Sequence, residues 1–171
     1  MKFLVRFFRQ PTKKYRNFQL VFTILTLNFA IPTLAYIFAP HLAVEQFLAI
    51  NDALGGAAYE YAEAELTSRL WRYLGAANVA TLALMCLLLQ LNLRRYFAVL
   101  LPLTFMKSLA ATLWLAGFVA HPEYPVFLAA ALLDYGSSAA FVYFATGAKR
   151  AIGDTDEEKL VPRPLGKGRL W

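Results

Sequence analysis

Two ionisable residues stand in the middle of apolar sequence: Lys107 in "LTFMKSLAA" and Asp134 in "FLAAALLDYGSSAA". An acid and a lysine at mid-depth are the parts from which a proton relay, an ion site or a ligand-binding site is built. A lone charge there costs about 2.5–3.5 kcal/mol on insertion scales, so Lys107 calls for a partner. The chain turns once between the two, at "AHPEYP", where two prolines cannot continue a helix. Lys107 lies 14 residues before His121 and Asp134 lies 13 after it. At about 1.5 Å of rise per residue the two reach the same depth on antiparallel neighbours, and an ion pair is expected.

Other polar residues fall near that level. Asn28 is central in the first apolar run, and Asn78 lies in the second. Thr104 stands one turn before Lys107, and Ser138 one turn after Asp134, each on the same helix face. Ser108, Ser137 and Tyr135 are expected to point elsewhere. Lys107, Asp134, Asn28, Asn78, Thr104 and Ser138 are thus read as one polar cluster at the centre of a closed four-helix bundle.

The elements that must position this cluster are membrane spans. Of 171 residues, 59% are hydrophobic and only 16% charged, with a mean hydropathy of +0.47. Four runs are long enough to cross about 30 Å of hydrocarbon. They extend from Phe18 to Phe38, Leu70 to Leu91, Tyr96 to Val119 and Pro125 to Gly147. The expected fold is an all-α, up-down bundle over residues 1–150, followed by a charged, Pro- and Gly-containing tail over 151–171. The short links "QLNLRR" and "AHPEYP" make spans two and three, and three and four, neighbours. The first run follows sixteen residues that include six basic ones and has no clear small-x-small cleavage site, so it is read as a retained helix.

Charge orients the bundle. Six basic residues precede span one, Arg94 and Arg95 link spans two and three, and six more follow span four, together 14 of the chain's 17. Under the positive-inside rule both termini are cytoplasmic, in an envelope read as a bacterial inner membrane. The net charge of +6 then reflects orientation and contact with membrane lipids rather than nucleic-acid binding.

The outer loop, residues 40–68, has room for a short amphipathic helix whose apolar face includes Leu42, Val44, Phe47, Leu48, Ala49 and Ile50. Gly55 and Gly56 are expected to end it. A second piece, "AYEYAEAELTSRLWR", runs into span two with Glu65 and Arg69 at i and i+4. Arg69 and Arg72, the basic residues of the outer side, suit lipid phosphates or an anion or headgroup site at the bundle rim. Glu65 and Glu123 are candidate partners for them. Small residues four apart (Gly136 and Ala140, Ala76 and Ala80, Ala77 and Thr81, Thr112 and Ala116) suit close helix approach. Pro32 should kink span one and free a carbonyl near the cluster.

Enzymatic signatures are missing: the chain has no HExxH, no GxSxG and no phosphate-cradling glycine loop. A single cysteine, Cys86, excludes a CxxC centre and reads as core filling. A haem or chlorin needs an axial ligand, and His41 and His121, both at outer span ends, are the only histidines. They are read as solvated, with no metal or cofactor expected. The expected role is a non-enzymatic accessory or structural subunit, partnered in a larger membrane assembly or with itself, whose Lys107–Asp134 pair fixes helix packing. The rival is a small-molecule-binding, lipid-binding or transport bundle built on the same cluster. A filled centre favours the first, and an open mid-depth pocket favours the second.

Overall fold

In a computed structural model of the chain, residues 10–58, 66–153 and 155 are described, without the side chains of 43 and 66–69. Every regular element among them is helical: α1 Lys13–Phe38, α2 Pro40–Ala53, α3 Leu66–Leu91, α4 Leu100–Ala120 and α5 Val126–Ala151, with a 3₁₀ turn at Phe97–Val99. Four of these helices are long and apolar enough to cross a membrane. Side chains such as Ile24, Ile31, Leu101, Leu132 and Tyr143 are 63–77% exposed, a coat suited to hydrocarbon and ill suited to water. The Glu65–Arg69 pair, the start of the second loop piece and the tail from 156 onward lie outside the described residues.

Helix ends follow capping chemistry rather than the limits of the apolar runs. The α1 helix starts at Lys13, five residues before the run at Phe18, because Thr12 accepts the Tyr15 amide at 3.2 Å as N-cap. It stops at Phe38, and Pro40 then opens α2 at its first position, where the missing N–H has no helical partner to lose. The α2 helix closes on Gly55 with φ +74°: the Gly56 amide bonds the Asn51 carbonyl at 2.8 Å and the Gly55 amide that of Asp52 at 2.9 Å, a Schellman cap. The α5 helix passes through Gly147 to Ala151. There the Arg94 guanidinium bonds the carbonyls of Ile152, Gly153 and Thr155, placing a cation on the C-terminal dipole.

The helices pack as two antiparallel pairs, α1 with α3 and α4 with α5, joined along an α1–α5 seam. Phe18, Phe22 and Phe29 of α1 fill this seam with Phe141 of α5, and Phe22 and Phe141 stand 5.7 Å apart. Leu82, Cys86, Leu89 and Leu93, spaced by four, three and four, bury one stripe from α3 onward into its link. Close approach uses the buried Ala76, Ala111, Ala131, Ala145 and Ala148. Of the expected small pairs only Ala76 and Ala80 turn inward. Gly136, Ala77 with Thr81, and Thr112 with Ala116 are exposed, and a Cβ built on Gly136 meets nothing within 4 Å.

One neighbour relation differs from expectation. The α3 and α4 helices, although joined by a short link, touch little, and a cavity separates them. The bundle is therefore closed toward the Arg94 link and hollow toward α2. The α2 helix turns Val44, Phe47, Leu48 and Asn51 inward, while Leu42, Ala49 and Ile50 are exposed. Phe47 packs between Trp114 and Phe127 with ring centroids 6.0 Å away in both directions. The Ala57 amide bonds the Glu123 carbonyl at 2.8 Å, which ties the segment after α2 to the α4–α5 turn.

Candidate functional site

Lys107 and Asp134 meet. The Lys107 Nζ forms a hydrogen-bonded ion pair with Asp134 Oδ1, their side chains being 12% and 15% exposed. The ammonium also lies over the Phe29 ring, 5.2 Å from its centroid. The hairpin accounts for this: His121–Tyr124 closes a turn at 3.1 Å, so residues equally far from it along α4 and α5 face one another. Beside the pair, Ser108 Oγ donates to Ser138 Oγ at 3.2 Å. Ser108 thus faces α5, contrary to expectation. On the outer surface of the same helix pair Thr112 and Tyr135 hydroxyls are bonded at 2.9 Å.

The pair sits at one end of a cavity of about 970 Å³ between α3 and α4. On α3 it extends from Trp71 to Leu82, roughly 16 Å at helical rise. Tyr36, Pro40 and Val44 line its α2 end beside Trp71, Arg72 and Trp114, while Lys107, Asp134 and Asn78 lie deeper. Asn78 is exposed to this space, and its amide makes no hydrogen bond among the described residues. The walls between are largely apolar. A long apolar slot with a few convergent polar groups at one end is the usual form of a small-molecule site.

Three members of the expected cluster thus share the cavity, and three do not. Asn28 is exposed on the outer face of α1, because the neighbouring Phe29, 100° around the helix, takes the place beneath Lys107. Thr104 Oγ1 donates to its own Leu100 carbonyl at 2.8 Å, and Ser138 is buried against Ser108. The closed centre expected from one polar residue per span is therefore replaced by an open one. Arg72 lies against the Tyr73 ring at 5.0 Å and lines the cavity's α2 end. The Arg69 side chain is outside the described residues. His41 is exposed near the start of α2. His121 Nδ1 lies 3.1 Å from Glu123 Oε1. The Glu123 carboxyl is held below its ordinary value, first by its own backbone amide and then by His121. Among the described residues no three His, Cys, Asp or Glu side chains gather as a metal site.

A second polar cluster escaped the sequence reading. Gln19 is fully buried and Gln90 nearly so, between α1 and α3. Gln19 Nε2 donates to the Tyr15 hydroxyl and to the Gln90 carbonyl, each at 3.0 Å. Gln90 Nε2 donates to Thr26 Oγ1 at 2.6 Å and to the Phe22 carbonyl at 3.1 Å, and its Oε1 accepts from Thr23 at 2.9 Å. The available signal was the i, i+4, i+7 spacing of Gln19, Thr23 and Thr26, which puts three polar groups on one face of α1. This network locks α1 to α3 at the closed half of the bundle. No protein family, curated protein or solved structure matches this chain.

Proposed function

We propose that this chain is an integral protein of a bacterial inner membrane that holds a neutral amphiphile between α3 and α4. The observation that carries the reading is a cavity of about 970 Å³ ending on Lys107, Asp134 and Asn78, whose amide has no partner among the described residues. That volume lies at the upper end of the roughly 300–1,000 Å³ usual for small-molecule sites. The ion pair is neutral as a whole, so a charged head group would leave net charge away from water, which is costly. A hydroxyl or amide fits better: it accepts from Lys107 or Asn78, donates to Asp134, and leaves the pair intact. The ligand's apolar body then lies along Val79, Leu109 and Leu113 toward the Trp71–Trp114 end.

The distribution of Lys and Arg supports both termini in the cytoplasm, with α2 on the outer interface and membrane lipids as the pool from which ligand enters. Binding, rather than turnover, is the proposed role. The rival reading is a non-enzymatic accessory subunit in which Lys107–Asp134 only sets helix register. It requires partner side chains to fill the slot, and a stoichiometric protein partner after mild-detergent pull-down is its signature.

The test uses the full chain in lipid nanodiscs and a long-chain fatty alcohol carrying an environment-sensitive fluorophore. Saturable binding is expected, abolished by Ala110→Trp, which fills the slot, and weakened about tenfold by Asn78→Leu. The corresponding fatty acid should bind less well. Absence of saturable binding to the folded protein, or unchanged binding by Ala110→Trp, refutes the proposal.

A further inference from the structure

Within the apolar run of α1, Asn28 is the one exposed polar side chain, and it has no hydrogen bond among the described residues. It stands ten residues from either end of the apolar run Phe18–Phe38. Exposed serine and threonine hydroxyls of the spans are satisfied locally: Thr81 by the Ala77 carbonyl, Ser137 by that of Leu133, Thr146 by that of Val142, and Thr112 by Ser108 and Tyr135. Asparagine cannot fold back on its own helix in this way as readily as serine or threonine. Pro32, four residues on, has no N–H to give the Asn28 carbonyl, so a second polar group at the same level lacks its helical partner. A bare amide and a freed carbonyl in hydrocarbon call for a hydrogen-bonding surface across the lipid face.

We infer that a second copy of this chain packs against α1, with Asn28 bonded to Asn28 of that copy. Two-fold symmetry about the membrane normal puts the same residue at the same depth without any further coincidence, whereas an unrelated partner needs its own polar group at that height. An amide both donates and accepts, so it is self-complementary across such an axis. The flanking surface suits a helix. Val21, Ile24, Asn28, Ile31, Ala35 and Phe38 are spaced by three, four, three, four and three, a seam for a left-handed helix pair with Asn28 within it; Ile24, Ile31 and Phe38 are 63–77% exposed, and Val21 and Ala35 are half-buried. This interface lies on α1, away from the slot between α3 and α4.

The test is dimerisation of the full chain in nanodiscs and vesicles, read by energy transfer between labelled copies across a range of protein-to-lipid ratios. Wild type should dimerise, and Asn28→Leu should weaken association about tenfold, near the value of a pair of interhelical hydrogen bonds in lipid. Asn28→Gln should retain most of it, and Leu133→Ala on the exposed face of α5 should change nothing. Single cysteines at 24 and 31 should cross-link under oxidation, and one at 133 should not. A wild type that stays monomeric, an Asn28→Leu variant that dimerises as well as wild type, or cross-linking centred on α5 overturns the inference. So does a stoichiometric unrelated partner occupying α1 in native membranes.

Discussion

Replacing Asp134 by Asn leaves the Lys107 ammonium without its counter-charge at the deep end of the slot. Breaking a buried ion pair by removing one member costs about 3–5 kcal/mol, mostly because the remaining charge is stranded. Two features reduce that here. The side chains are 12% and 15% exposed toward the cavity, so some solvation is available, and the Phe29 face at 5.2 Å retains about 1 kcal/mol of cation–π attraction. The expected loss for Asp134→Asn is therefore about 2–3 kcal/mol, or roughly 30- to 150-fold in the unfolding equilibrium. Lys107→Met strands the carboxylate instead, without an aromatic face to help, and should cost about 1 kcal/mol more. The double variant Lys107→Met/Asp134→Leu removes both charges at similar volume and should return to within about 1 kcal/mol of wild type. Equilibrium unfolding in mixed micelles, followed by circular dichroism, measures all three. A double variant as unstable as the sum of the singles, or an Asp134→Asn protein as stable as wild type, refutes the idea that the two groups neutralise one another.

Four further outcomes are expected. Gln90→Leu removes the amide that joins Thr23, Thr26 and the Phe22 carbonyl and should destabilise by about 1–3 kcal/mol in the same unfolding assay. Arg94→Ala removes the cation capping the end of α5 and should cost about 1 kcal/mol, with faster amide exchange over 148–153. Gly56→Ala puts a Cβ 2.3 Å from Asn51 Oδ1, so the Asn51–Ala57 bond must break, and amide exchange should quicken by about tenfold near 51–57 while α4 is unaffected. The Glu123 carboxyl should titrate below 4.5 by NMR. Because its pKa is depressed on folding, its stabilising contribution is present above 4.5 and is lost as pH falls through the folded value. His121→Ala should raise that midpoint.

The site divides into what local sequence dictates and what only packing decides. Depth was readable: the hairpin at 121–125 is rigid and short, so counting along it brings Lys107 to Asp134 whatever the rest of the bundle does. Facing was not. The Gln19, Thr23 and Thr26 stripe marks one inner face of α1, but Asn28 is polar and the adjacent Phe29 apolar, so polarity does not tell which of these two neighbours meets other helices. Nor did polarity mark Ser108, which α4 turns toward α5. Gln19 and Gln90 lie near span ends, where polar residues ordinarily mean the lipid headgroup level, and only the contact of α1 with α3 reveals them as a buried network.

Sequence by itself determined the number of apolar helices, the turn that aligns the two charged residues, and the glycines that end α2. These depend on interactions within a few residues or across one tight link. Tertiary structure alone decided that α3 and α4 stand apart, that a slot reaches the ion pair, and that Asn28 faces outward. Lipid and protein interior are equally apolar, so hydropathy distinguishes a span from water but not the inner side of a span from its outer side.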